Sequence, residues 1–134
     1  MRLIKWAQTL GDPTCPYMTR WVVNLGLITI RLHCFHRSDD DRHLHDHPWW
    51  FFSALLRGSY REHTDSCAGP WRKVGSIVYR PALTKHRVEI KPGRSCWTLC
   101  VTGPTRRHWG FWVHGAWLRS RDYFGKFGHP PCQD

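Results

Sequence analysis

Short runs of β-branched and aromatic residues recur along the chain, and turn-forming residues separate them. The runs lie at 27 to 35, 49 to 56, 59 to 63, 76 to 80, 86 to 90, 96 to 102 and 109 to 113. Glycine or proline stands in most of the intervals, as in Arg57-Gly58, Pro92-Gly93 and Gly103-Pro104. Strands of this length and spacing are typical of a β-sandwich or barrel. The pattern therefore predicts an all-β protein.

Two of these runs differ in how apolar residues are distributed over their faces. In "WWFFSALL" (49 to 56) both faces are apolar, which predicts a strand that is covered on both sides. In the run from 27 to 35, the apolar residues Ile28, Ile30, Leu32 and Cys34 alternate with Thr29, Arg31 and His33. Side chains alternate across an extended strand, so we expect the apolar set to face the core and the polar set to face outward.

The chain shows no internal repeat and no linker, and we expect one domain over 1 to 134. Its barrel is predicted over about 17 to 119, after a short N-terminal segment (about 1 to 16) and before an irregular C-terminal tail (about 120 to 134). Helical periodicity is suggested only around "LIKWAQTL" near the N-terminus.

The composition is that of a packed globular protein: 41% of the 134 residues are hydrophobic, and nine are tryptophan. No apolar run is long enough for a signal peptide or a membrane span, so we expect a soluble, cytoplasmic protein without membrane contact. Six cysteines are spread without a CxxC pair. In a reducing compartment such cysteines are expected to be small buried apolar residues.

The net charge of +10 raises a non-enzymatic alternative, a basic module that binds nucleic acid or another macromolecule. The C-terminal half would supply it, because cations there interleave with aromatic residues: Arg106, Arg107, Arg119, Arg121 and Lys126 with Trp109, Phe111, Trp112, Trp117 and Tyr123. The segment "WGFWVHGAW" also alternates as a hairpin does, and we favour the interpretation that its rings close the core.

The segment "HLHDHPWW" places His43, His45 and His47 on alternate positions. In a strand all three imidazoles would project to one face, where two could approach one metal ion. A metal needs further ligands from elsewhere in the chain.

The spacing that follows resembles the two motifs of the cupin superfamily, G-x5-H-x-H-x3,4-E-x6-G and G-x5-P-x-G-x2-H-x3-N. His45 and His47 match the H-x-H and Gly58 the closing glycine, while Gly75, Pro81 and His86 match the second motif. The resemblance implies a double-stranded β-helix, or jelly-roll barrel, with a divalent metal bound by His45, His47 and His86. His43 falls outside this ligand set.

Three positions depart from the cupin pattern. Phe51 or Phe52 stands where the family has a glutamate ligand, Leu83 replaces the middle glycine, and Ile90 replaces the asparagine. A cupin that lacks this glutamate would hold its metal with three histidines alone.

Cupins of that kind include cysteine dioxygenase and related thiol dioxygenases, which hold ferrous iron. "HDH" followed by "ALLRGSYREHT" and then "HRVE" is similar to their segments, and Thr19-Arg20 resembles the place of the arginine that binds the substrate carboxylate. The resemblance implies a non-haem iron dioxygenase with Fe(II), although the same ligands accept Zn, Ni, Cu or Mn. Thr102 matches the family's active-site tyrosine, and no cross-linking cysteine follows the histidine pair.

Glu62 lies past the Gly58 turn on the next predicted strand. It could reach the ion as a fourth ligand or orient a water, and the alternative is a carboxylate paired with one of the many arginines.

We expect Trp49, Phe51 and Leu55 to form a tight hydrophobic wall beside the histidines. The expected partner is a small-molecule substrate or ligand, and a homodimer is compatible with this fold. "RHWGFWVHGAW" is similar to small phage-encoded cupin-like proteins.

Overall fold

The fold is built from two antiparallel sheets, seen in a computed structural model that describes residues 4 to 12, 14 to 39, 42 to 65 and 67 to 128. The elements of the described chain are β1 (Ile4–Asp12), β2 (Cys15–Asn24), β3 (Thr29–Phe35), β4 (Leu44–His45), β5 (Phe51–Arg57), β6 (Tyr60–His63), β7 (Ile77–Arg80), β8 (Arg87–Ile90), β9 (Cys96–Thr102), β10 (Gly110–Val113), β11 (Ala116–Arg119) and α1 (Ser120–Phe127). The all-β jelly-roll prediction is confirmed, and each of the seven predicted runs contains a strand.

The larger sheet has six strands in the order β1-β2-β3-β9-β5-β7. The second sheet joins a three-stranded part, β11-β10-β4, to the pair β6-β8. The junction is the bridge between His45 and His86, whose backbones exchange two hydrogen bonds of 3.0 and 2.9 Å. Two candidate ligands from distant parts of the sequence are therefore neighbours through the backbone itself.

Gly58 and Gly75, the two motif glycines, stand where the backbone conformation favours glycine. Gly58 has φ of +86°, and a Cβ at this position would meet the carbonyl oxygen of Ser95 at 2.6 Å. Gly75 has φ of +94°, which side-chain-bearing residues rarely adopt. The motif spacing thus reflects where the backbone must turn between strands.

The core between the sheets has two aromatic and aliphatic parts. One is the cluster formed by Met18, Phe35, Leu55, Tyr60, Ile90 and Cys96. The other lies under α1, where the ring of Tyr123 stacks on that of Phe111 with centroids 3.8 Å apart. Large rings close the barrel end at which the chain terminates.

Several details differ from the sequence predictions. The stretch around "LIKWAQTL" belongs to the strand β1, which pairs with β2, because edge pairing satisfies its backbone. The tail predicted as irregular contains α1, whose buried Tyr123 anchors it. Among the cysteines, Cys34, Cys96 and Cys100 are buried as expected, but Cys67 is exposed and Cys15 is disulfide-bonded. Cys132 and His129 lie outside the described residues.

Within the described ranges, no helix has the length and apolar character needed to cross a membrane.

Candidate metal centre

The three histidines selected by the motif spacing are brought together. His45 and His86 face each other across their bridge, and the backbone N–H of His47 donates to the carbonyl of Ala82 at 3.0 Å. One nitrogen from each ring lies within 4.8 Å of the others. We call His45, His47 and His86 the histidine group, and the structure offers no other group of this kind in the residues it describes.

The spacing of the ring nitrogens suits a single ion. The Nε2 atoms of His47 and His86 are 3.4 Å apart, so both could lie about 2.1 Å from one ion at an angle of about 110°. Two nitrogens that bind the same ion can be at most roughly 4.2 Å apart. The nitrogens of the group lie within 4.8 Å of one another, and a small rotation of one ring would bring a pair at that distance into range. The Nδ1 atom of His47 is buried and makes no hydrogen bond. These donors fit a divalent metal.

Two imidazoles of the group, those of His45 and His47, are held in the neutral form that binds metals. Burial, with the nearby His86, lowers the pKa of His45 to about 3. Burial also lowers the pKa of His47 well below its usual value, and neighbouring histidines lower it further. Because a protonated imidazole cannot ligate, the side chains of His45 and His47 are competent to bind metal at neutral pH without losing protons first.

Glu62 acts on the group through His86. Its Oε2 accepts a hydrogen bond from Nδ1 of His86 at 2.9 Å, which leaves Nε2 free for a metal. Arg80 donates to both carboxylate oxygens, at 3.1 and 2.9 Å. Burial alone would raise the pKa of Glu62, but the bonds from His86 and Arg80 outweigh it and lower the pKa to about 2. Of the two roles considered for Glu62, this geometry supports the paired carboxylate.

Two aspartates near the group were not singled out from the sequence. Asp39 lies 3.8 Å from Nε2 of His45 and accepts hydrogen bonds from Tyr17 and from the backbone N–H of Val88. Asp39 precedes the short β4 and belongs to no motif, so its place depends on how the chain before β4 packs against β8. No sequence signal marks it.

Asp46 lies between two ligands and is fully buried. It accepts bonds from the backbone of Gly110 at 2.8 Å and from the indoles of Trp112 and Trp117 at 3.1 and 3.0 Å, and Arg107 is 2.9 Å away. Asp46 follows β4, and the β10–β11 hairpin covers its side chain through these contacts. No short-range sequence signal marks this contact, because it depends on how the hairpin pairs with β4.

A cavity of about 360 Å³ opens in front of the histidine group. Trp49 and Phe51 line it as expected, whereas Leu55 belongs to the core cluster. Phe51 stands in the place of the family's glutamate, with its ring 4.7 Å from that of His47, while Phe52 points outward. The pocket was expected to be hydrophobic; its lining is apolar in the larger part, but it also carries polar side chains, namely Arg20, Arg31, His33, Ser53, Thr98 and Cys100.

His43 lies outside the group. Its Nδ1 is 2.8 Å from the hydroxyl of Tyr123, and its ring is 5.4 Å from that of Phe127. It therefore fastens α1 to the barrel, which explains why three alternating histidines yield only two candidate ligands.

The aromatic residues of the C-terminal half differ in exposure: Phe111 and Tyr123 pack in the core, whereas Trp117 is 39% exposed. Phe111 and Tyr123 are 2% and 0% exposed, so their rings are not offered to nucleic-acid bases. The hairpin expected from "WGFWVHGAW" forms, with His114 and Gly115 both at positive φ in its two-residue turn.

No protein-family model matches the chain, and no curated protein is similar to it in sequence. Solved structures are similar in fold. A cupin-2 domain protein from Rhodospirillum rubrum superimposes with a TM-score of 0.62 at 14% identity, over 79% of this chain and 73% of that one.

Two further neighbours have functional names. The polyketide cyclase RemF from Streptomyces resistomycificus gives a TM-score of 0.59 at 18% identity, over 75% of this chain and 78% of RemF. The Fe(II) form of HppE also gives 0.59, at 11% identity, over 72% of this chain and 55% of HppE. The chain therefore has the cupin fold, as the motif spacing predicted.

Proposed function

We propose that the protein is a metal-dependent cupin enzyme, a non-haem iron oxidoreductase of the dioxygenase type that acts on a small thiol or carboxylate-bearing molecule. The observation that carries the proposal is the histidine group at the wall of a cavity. A cavity of about 360 Å³ has the size of a small-molecule site.

Three neutral imidazoles would leave a divalent ion its full charge and open positions, so that it could supply Lewis-acid and one-electron chemistry to an anionic substrate donor and dioxygen. Iron is the metal we propose, and HppE, whose structure holds Fe(II), supports this choice on the same fold. RemF carries the name of a cyclase, so the fold also serves other chemistry.

Each part of the cavity has a role in the proposal. Glu62 fixes the tautomer and the orientation of His86 through the 2.9 Å hydrogen bond. The rings of Trp49 and Phe51 keep water from the face of His47, with ring centroids at 5.4 and 4.7 Å. Arg20 lines the opposite wall, where its guanidinium can bind a substrate carboxylate.

Metal analysis tests the first half of the proposal. We expect the purified protein to bind about one equivalent of iron after anaerobic loading, and His86→Ala or His45→Ala to reduce the affinity at least about tenfold. His108→Ala is the matched control, because His108 is an exposed histidine outside the group. Less than half an equivalent of any metal in the wild type would contradict the proposal.

Oxygen uptake tests the second half. The iron-loaded protein should consume dioxygen with 3-mercaptopropionate or cysteine, and His86→Ala should not. The alternative is a non-catalytic cupin with a structural metal and a basic binding surface, suggested by the net charge of +10. It predicts metal binding without uptake, together with a nucleic-acid gel shift that weakens steeply as salt rises.

A further inference from the structure

The cavity has two chemically different walls. The histidine group and the ring of Trp49 form one, and the inner face of β2, β3, β5 and β9, which includes Phe51, forms the other. On the second wall two guanidiniums, those of Arg20 and Arg31, lie on neighbouring strands. We call Arg20 and Arg31 the guanidinium pair.

Neither member of the guanidinium pair is matched by a carboxylate in the part of the chain that the structure describes. Arg20 donates through Nε to the side-chain oxygen of Gln8 at 3.1 Å, and Arg31 donates through Nε to the hydroxyl of Thr102 at 3.3 Å. The Arg31 guanidinium also lies over the ring of Trp49, 4.9 Å from its centroid. All of these partners are neutral.

The acidic side chains that line the same cavity are already engaged. Asp39 accepts from Tyr17 and Val88, Asp46 pairs with Arg107, and Glu62 is held by Arg80 and His86; the contacts are those described for the metal centre. Cys100, between the pair and the histidines, does not supply a charge, because burial raises the pKa of its thiol. Among the residues that the structure describes, the cavity therefore holds two cations without a counter-ion of its own.

The two guanidiniums are close enough to act together. Arg20 pairs in register with His33, and Arg31 is two residues along the same strand, which makes the two arginines diagonal neighbours. Burial lowers the pKa of Arg31, and the positive charge of Arg20 lowers it further. Two like charges on one cavity wall are unfavourable unless an anion shares them.

We propose that Arg31 joins Arg20 in one anion subsite, and that the ligand of this cavity is a small organic dianion whose charged end lies against the guanidinium pair. This deepens the proposed function, since it names the substrate class of the same cavity. Dicarboxylates and phosphoryl compounds share the required chemistry, because a planar guanidinium binds either one through two N–H groups.

Calorimetric titration of the metal-free protein at low salt tests the subsite. The probes are succinate, inorganic phosphate and acetate, with wild type, Arg31→Gln and Arg20→Gln. We expect at least one of the two dianionic probes to bind tighter than acetate, and each substitution to weaken that dianion about 10- to 100-fold, the worth of one charge-assisted hydrogen-bond pair. Arg31→Lys should recover only part of the lost dianion affinity, because lysine keeps the positive charge but lacks the paired N–H groups of the planar guanidinium.

Arg94→Gln is the matched control, since it removes the same charge from an exposed residue. Thermal unfolding of each variant verifies folding. Whichever of succinate and phosphate binds tighter identifies the dianion class. The proposal is overturned if Arg31→Gln binds the dianions as tightly as wild type, if acetate binds as well as they do, if none of the probes binds, or if Arg94→Gln loses as much. The titration uses the metal-free protein, so its result can be interpreted even if the iron proposal fails.

Discussion

The two faces of the six-stranded sheet contrast with each other. The inner face is apolar only in part and turns polar where it meets the cavity, at Arg20, Arg31, His33, Ser53, Thr98 and Cys100. The outer face is apolar along neighbouring strands, in the cross-strand rows Val23, Ile30, Val101, Phe52, Tyr79 and Trp21, Leu32, Leu99, Ala54, Ile77. Several of these outer residues are well exposed, up to 70% for Ile77.

This contrast shows that the polarity of the side chains on each face of the sheet depends on what that face contacts. An ordinary half-buried sheet places apolar residues inward. Here some of the inward positions line the cavity in front of the histidine group, and polar side chains occupy them. The alternation of β3 was recognised correctly, but the direction was wrong: Arg31 and His33 point into the barrel, and Ile30 and Leu32 point away from it.

The largest effect should separate two neighbouring leucines on opposite faces of β5. Leu55 is 1% exposed in the core cluster, whereas Leu56 is 47% exposed. We expect Leu55→Ala to lower the free energy of unfolding by about 2–5 kcal/mol and Leu56→Ala by less than about 1 kcal/mol. Urea denaturation of the metal-free protein measures both, and equal losses would show that the outer face is as well packed as the inner.

Part of the pH dependence of stability should come from the inner face of the six-stranded sheet. Burial, with the positive charges of Arg31 and Arg20, lowers the pKa of His33 to about 3. Below about pH 6.5, His33 is protonated in the unfolded chain but stays neutral in the folded chain. The free energy of unfolding therefore decreases as pH is lowered toward 3, by at most about 1.4 kcal/mol per pH unit.

His33→Gln should reduce the slope of the free energy of unfolding against pH by up to the contribution of one proton. The measurement is urea denaturation of the metal-free protein between pH 4.5 and 7.5, with exposed His108→Gln as the control. A slope that is unchanged in His33→Gln would mean that His33 is protonated in the folded state.

The fold was predictable because local signals agreed. Turn residues and β-branched runs located seven strands, and the spacing from His45 and His47 to Gly58 located the barrel end at which the histidine group assembles. The strands β1 and β2 were missed, since their sequences carry mixed polarity and their backbone bonds depend on tertiary pairing, of β1 with β2 and of β2 with β3. Helix α1 was missed because its only fully buried residue, Tyr123, is fixed by a ring stack with Phe111.

The candidate site was only partly predictable. Motif spacing identifies candidate ligands, since they lie at fixed distances from the turns that the glycines form. It does not identify residues that meet the site from other strands, such as Asp39 and Arg31. Their contribution depends on strand order, which places β3 beside β9 and β9 beside β5. No short-range pattern encodes that order.

Removing a charge from the inner face should stabilise the empty protein. Arg31 is partly buried without a carboxylate partner, so Arg31→Met should raise the free energy of unfolding by about 1 kcal/mol while the anion subsite is lost. Leu32→Met, on the outer face of the same strand, should change it by less. A destabilised Arg31→Met would mean that the contacts with Trp49 and Thr102 outweigh the cost of burying the charge.

The smallest effect belongs to an aromatic pair on the outer face. Phe52 and Tyr79 are directly opposed on β5 and β7, with ring centroids 4.8 Å apart, and both are about half exposed. Water reaches both rings, so the pair should contribute only the cross-strand interaction itself. A double-mutant cycle with Phe52→Ala and Tyr79→Ala should give a coupling of about 0.2–1 kcal/mol. A coupling well above this would mean that these rings are desolvated in solution, and that the outer face is covered there.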